Sequence, residues 1–190
     1  EQSGTPSEVS EARREHSRFD VEHFCRHYLG HYFSRPLEPF HLDLLHASSG
    51  AWELPRGHGK STCLAALLTH IALYGWRRFV VVVSDTADQA RTFVRRVRDE
   101  LDENERIRED FGSLRGAQWT EGSFVTSHGV RLLARGAGSA IRGLVHGQHR
   151  PDLVLVDDLE NDEAVLTPER REKLWRWVVG VRRRPVAGIG

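Results

Sequence analysis

The sequence predicts an α/β fold built on a mainly parallel central sheet. Three observations lead there: the run Phe79-Val80-Val81-Val82-Val83 has no polar alternation, Leu153-Val154-Leu155-Val156 repeats that character, and a glycine-rich loop and a helix precede the first of them. Strands apolar on both faces belong to parallel sheets covered on both sides. The order from Ala51 to Val83, short apolar segment, loop, helix, strand, is then a βαβ unit.

With 190 residues, 39% hydrophobic and 28% charged, the chain suits one globular domain and excludes a multidomain machine. Lys+Arg 27 balances Asp+Glu 27, which excludes a globally basic nucleic-acid binder, so any polyanion contact must be local. Cys25 and Cys63 cannot form a disulfide framework, which points to a reducing compartment. The longest apolar stretch, Cys63 to Trp76, is broken by Thr69 and His70 and is shorter than the roughly 20 residues of a membrane span. No signal peptide is visible, so a cytoplasmic location without membrane contact is expected.

Residues 1–18 are polar and predict a disordered tail, because too little apolar surface is present to offset the entropy of ordering. Residues 19–48 predict a short helical region: Val21, Phe24, Cys25 and Tyr28 share a helix face behind the N-cap Asp20. Pro36, Pro39 and Phe40 punctuate the next stretch, and Leu42, Leu44 and Leu45 suggest a short helix before the turn at Ser48–Gly50. In the remaining core, 49–190, Leu64, Leu67, Leu68 and Ile71 mark the crossover helix. A second helix runs from Ala87 to Leu101 with Ala90, Val94, Val97 and Leu101 inward. Ser123-Phe124-Val125 and Val130-Arg131-Leu132-Leu133 flank a turn with His128-Gly129 and predict a hairpin.

The strongest chemical signal is Pro55-Arg56-Gly57-His58-Gly59-Lys60-Ser61-Thr62 between a strand and a helix. It carries the Gly-Lys-Ser end of a P-loop, in which backbone N–H groups cradle phosphates, Lys60 neutralises β/γ charge and the Ser61 hydroxyl ligates Mg²⁺. Leu54 stands where the first glycine is usual. The second signal is Asp157-Asp158 ending a buried strand, with Glu160 behind it. This is a Walker B pattern, in which one carboxylate holds Mg²⁺ and another orients the attacking water.

Together these residues resemble the ATPase domain of the large terminase subunit, the DNA-packaging motor of tailed bacteriophages. The likeness extends through Pro39-Phe40-His41, Ser84-Asp85-Thr86, Gln89-Ala90, Asn104-Glu105-Arg106-Ile107, Phe111-Gly112, Ala134-Arg135-Gly136, Ile141-Arg142-Gly143 and Pro151-Asp152. It implies a P-loop NTPase three-layer sandwich of the additional-strand type, with the 19–48 region packing on the nucleotide site. ATP and Mg²⁺ are the implied cofactors, and double-stranded DNA, a homo-oligomeric ring, the portal and the small terminase subunit the implied partners, in the host cytoplasm. Pro55 to Thr62 match the nucleotide-binding positions, Ser61 and Asp157 the metal ligands, and Arg56 a loop arginine acting on the γ-phosphate in cis. Arg142 matches an arginine offered to a neighbouring subunit, and His41 stands where the family often has an adenine-reading glutamine. Asp158, or else Glu160, takes the place of the family's catalytic glutamate. The core is expected to be incomplete at its C-terminus, with only Pro185–Gly190 for the strand after Walker B and no nuclease activity. Two other readings stand beside the motor: a truncated or degenerate nucleotide-binding relative without motor activity, and a helicase-like P-loop NTPase.

Three further signals read as ordinary structure. His23, His27 and His31 have helical metal-ligand spacing but lack a second ligand cluster. Arg91, Arg95 and Arg98 could meet DNA phosphates, yet Asp99, Glu100 and Asp102 follow them. Trp175 and Trp177 suit core packing better than base stacking.

Overall fold

The computed structural model describes residues 6–47, 50, 52, 57–158, 169, 172, 176 and 177. These form an α/β protein with a five-stranded mixed sheet and helices. Two compact units are present, one comprising the chain through Trp76 with Val97–Leu114, the other Arg77–Arg96 with the chain from Arg115 on.

The first unit is helical. Its opening helix, α1 (Pro6–Phe19), replaces the disordered tail expected over 1–18 with a helix from residue 6 on, and residues 1–5 lie outside the described residues. Polar anchoring replaces the missing apolar surface: Arg13 holds Asp110 at 2.6 Å, the Tyr74 hydroxyl donates to the Arg14 carbonyl at 2.8 Å, and His70 Nε2 donates to the Ser17 carbonyl at 2.9 Å. Helix α2 (Val21–Tyr28) starts at Asp20, whose carboxylate accepts from the His23 N–H at 2.8 Å, a cap worth about 1 kcal/mol. It buries Val21, Phe24, Cys25 and Tyr28, the predicted face. Both cysteines are buried and reduced, and burial pushes the Cys25 thiol up to about 12 and Cys63 to about 11.

Helix α3 (Pro39–His46) has its proline in the first turn, where no N–H is needed. Helix α4 (Lys60–Tyr74) differs from the predicted single stripe. Leu68 and Ile71 are buried with Cys63, Ala65, Ala66, Thr69, His70, Ala72 and Leu73, whereas Leu64 and Leu67 are half-buried. Contacts with both α2 and α3 explain the wide buried surface. Helix α5 (Ala87–Glu103), which belongs to this unit only from Val97 on, buries Ala90, Val94, Val97 and Leu101 as expected. Helix α6 (Glu105–Phe111) is an additional element beyond those expected, capped by Asn104 accepting from the Ile107 N–H at 3.1 Å.

The second unit holds the sheet, in the order β2-β3-β4-β1-β5. Strand β1 (Phe79–Ser84) is buried throughout and pairs in parallel with β4 (Arg131–Gly136) and β5 (Leu153–Val156). The expected mainly parallel sheet is instead mixed, because β2 (Arg115–Trp119), β3 (Ser123–Thr126) and β4 run antiparallel through short turns. The predicted hairpin is β3 and β4. Strand β2 escaped prediction because Arg-Gly-Ala-Gln is poor in β-branched residues, and only Trp119, 4.9 Å from the Phe124 ring, anchors it strongly. On one sheet face Phe79, Val81, Val83 and Leu133 form a cluster, with Ile141, Leu144, Val154 and Trp177 against it. Trp177 also donates its indole N–H to the Ser139 carbonyl at 3.1 Å, which makes it a packing residue. Trp175 lies outside the described residues.

Candidate functional site

In the helical unit, the glycine-rich loop enters α4 through two left-handed residues, Gly57 with φ 86° and Gly59 with φ 74°. A Cβ at either position would be strained, so the glycines are what the turn requires. Gly59 is the N-cap, its carbonyl accepting from the Cys63 N–H at 2.9 Å, and Lys60, Ser61 and Thr62 form the first helical turn. That turn carries no acidic residue. A helix start offers N–H groups without intrahelical acceptors and a positive dipole end, both favourable to an anion. Pro55, Arg56 and most of the segment expected as the preceding strand lie outside the described residues.

His41 meets this loop directly. Its Nδ1 accepts from the Glu38 N–H at 3.0 Å, and its Nε2 lies 2.9 Å from the His58 carbonyl oxygen. A backbone N–H can only donate and a carbonyl can only accept, so the ring is the neutral tautomer with its proton on Nε2. The helix α3 cap and the loop are thereby tied through one imidazole. Nothing in the sequence announced this pairing, although Glu38-Pro39 with His41 in the first turn is a local helix-start signal.

In the sheet unit, parallel pairing aligns Val83 with Val156 and Ser84 with Gly136, so β1, β4 and β5 end together. The C-terminal edge of parallel strands is where open α/β sheets bind ligands. Asp157, 6% exposed, follows β5 there, its N–H donating to the Val83 carbonyl at 2.9 Å. The next residue, Asp158, is exposed and has φ 50°, the only non-glycine with positive φ among the described residues. Its carbonyl accepts from the Asp85 N–H at 3.1 Å, which fixes the backbone in that conformation. Asp tolerates the left-handed region better than most residues, and such conformations concentrate at functional sites. Glu160 lies outside the described residues.

Arg142 is exposed on the connection between β4 and β5 and makes no hydrogen bond or ion pair among the described residues. Its neighbours Ile141 and Leu144 pack on the sheet cluster. The arginine is therefore presented from a pinned segment rather than a loose one. By contrast, Arg91, Arg95 and Arg98 each have a carboxylate partner, Asp88, Glu121 at 3.8 Å and Asp99 at 2.6 Å respectively. They do not form a bare basic stripe.

Among the described residues, no group of three or more His, Cys, Asp or Glu is placed to hold a metal ion. His23 Nδ1 pairs with the Ser17 hydroxyl at 2.8 Å, and His31 with Glu100 at 3.2 Å. Burial, with His16 nearby, lowers the His23 pKa. Set beside known proteins, the chain matches no family model and no curated protein. Among the described residues, no helix is long and apolar enough to cross a membrane.

Proposed function

We propose that the chain is an ATP-hydrolysing motor domain of the viral DNA-packaging kind, a P-loop NTPase sandwich that couples MgATP hydrolysis to translocation of double-stranded DNA. One observation carries the reading: a turn with two left-handed glycines delivers Lys60 and Ser61 into the first turn of α4. The N–H groups of that turn would bind the phosphates, and the Lys60 ammonium would balance charge on the β/γ oxygens. Mg²⁺ prefers hard oxygen donors and keeps several waters, and the Ser61 hydroxyl and the Asp157 carboxylate are each a donor of that kind that would hold it, as the resemblance implies. Bound there, it would add charge neutralisation at the β/γ bridge. Water attacks the γ-phosphorus, the bond to the β–γ bridging oxygen breaks, and ADP and phosphate leave.

Asp158 is the water-orienting carboxylate in this reading, because its backbone is fixed at φ 50° by the bond from Asp85. Asp158→Asn is the decisive variant, since Asn accepts the same backbone conformation and removes only the charge. We expect it to lower turnover about 10²-fold or more, the scale of a lost general base, with Glu160→Gln near the parent rate. Loss in Glu160→Gln alone would reverse the assignment.

Arg142 is the candidate for action on a neighbouring subunit's nucleotide, and Arg56 for the chain's own. Arginines in this role are worth ~10³ to 10⁵ in rate. Mixed oligomers of Arg142→Ala and Lys60→Ala chains should regain turnover, because a pocket from the first meets an arginine from the second. Confirmed mixed oligomers that stay inactive would count against action in trans. The overall test is ATP turnover with and without double-stranded DNA, together with the mass of the assembly. Nucleotide binding without turnover would favour a non-motor relative.

A further inference from the structure

We propose that the nucleotide site is indifferent to the base: His41, which stands at the position expected to read adenine, is spent as a latch on the phosphate loop, leaving a pocket that selects nucleoside triphosphates by their phosphates. The inference rests on the P-loop reading of this site and adds what the site recognises. Adenine reading by a side chain needs a donor and an acceptor directed at the base edge, the pattern a glutamine amide supplies. An imidazole has two polar atoms, and here both are committed, Nδ1 to the Glu38 N–H at 3.0 Å and Nε2 to the His58 carbonyl at 2.9 Å. Turning the ring toward a base would break both bonds and uncap the start of α3.

The latch acts on the phosphate-binding residues themselves. His58 sits between the two left-handed glycines, so fixing its carbonyl fixes the peptide that sets the direction of the following N–H groups. A Cβ added at Gly59 would fall 3.5 Å from His41 Nε2, so the ring borders the space beside this glycine. The imidazole thus holds the loop from one side by its hydrogen bond to the His58 carbonyl. Phe40 packs at 4.0 Å against the His41 ring and lies 6.2 Å from His58, and it offers a π face, which every base can use alike. His41 is accordingly a positioning residue whose effect reaches any ligand of the loop, including one that has no base.

The test compares binding of ATP, GTP and inorganic tripolyphosphate, each with Mg²⁺, to the parent chain, His41→Ala and His41→Gln. The parent should bind ATP and GTP within about threefold of each other. His41→Ala should weaken all three ligands by a common factor of about 10, the scale of losing the hydrogen bonds that order the loop. His41→Gln, whose amide N–H can reach the same carbonyl, should recover most of the tripolyphosphate affinity. A loss confined to ATP would make His41 an adenine reader and overturn the proposal, as would unchanged binding of all three ligands in both variants. Failure of the parent to bind any of them would instead sink the P-loop reading, and this inference with it. A second readout needs no ligand: the ¹⁵N spectrum of the parent should show His41 as the neutral Nε2–H tautomer, and the Nδ1–H tautomer would refute the latch.

Discussion

Replacing Lys60 by alanine should abolish ATP turnover while leaving the protein folded, with the rate falling by at least about 10²-fold. The scale is that of removing one preorganised group from developing transition-state charge. Lys60 occupies the first turn of α4, directly after the left-handed Gly59. In the proposed reading its ammonium would be the cation the loop delivers to the β/γ-phosphates, where negative charge moves as the γ-phosphoryl group departs. The backbone N–H groups of the turn survive the substitution, so binding should weaken less than turnover. Alanine is the best helix former, and α4 is otherwise held by buried apolar residues, so the melting temperature should change little. Arginine is not a neutral replacement, because its planar fork does not reproduce a compact ammonium. The check is steady-state phosphate release, paired with ATP affinity by calorimetry. Parent-like turnover in Lys60→Ala would place hydrolysis elsewhere on the molecule.

What the sequence displayed and what it hid divide along physical lines. The valine run of β1 was legible because a strand buried on both faces has no polar residue to interrupt it, and every residue from Phe79 to Ser84 is buried. The α2 face was legible because Asp20 marks its start and Val21, Phe24, Cys25 and Tyr28 keep helical spacing. Helix α1 was not, because its order comes from long-range polar contacts, such as Arg13 with Asp110, that composition does not encode. Strand β2 was hidden for a related reason: its residues are mostly exposed, and its pairing with β3 supplies what propensity does not. At the candidate site, residue types were readable and states were not. The glycines, Lys60 and Ser61 follow a fixed local spacing, whereas the tautomer of His41 and the left-handed backbone of Asp158 depend on Glu38, His58 and Asp85.

Removing the Asp110 carboxylate should produce the largest stability loss among single polar substitutions in the helical unit, about 3 kcal/mol for Asp110→Ala. Asp110 is a residue of α6 whose side chain is 1% exposed. It accepts from Arg13 Nε at 3.2 Å and Nη2 at 2.6 Å, and from the Tyr28 hydroxyl at 2.7 Å, so one carboxylate joins α1, α2 and α6. Breaking a buried ion pair by deleting one partner costs about 3–5 kcal/mol. The lower end applies because the Arg13 side chain is 31% exposed and can turn to water, whereas the buried Tyr28 hydroxyl loses its acceptor. For a chain of this size, about 3 kcal/mol corresponds to a melting temperature lower by roughly 6–12 °C. Burial by itself would raise the Asp110 pKa, but the hydrogen bonds from Arg13, Tyr28 and Ser10 outweigh it and hold the carboxyl below its ordinary value. A carboxyl depressed in the folded state stabilises fully above its unfolded pKa of about 3.9, and that contribution disappears as pH falls through the folded value. The parent should therefore lose stability on acidification more steeply than Asp110→Asn, which keeps the shape and carries no titrating charge. Chemical denaturation at neutral and at acid pH measures both effects. An Asp110→Ala protein that melts within about 2 °C of the parent, with an unchanged acid limb, would show that apolar packing holds α1 and that the polar triad is incidental.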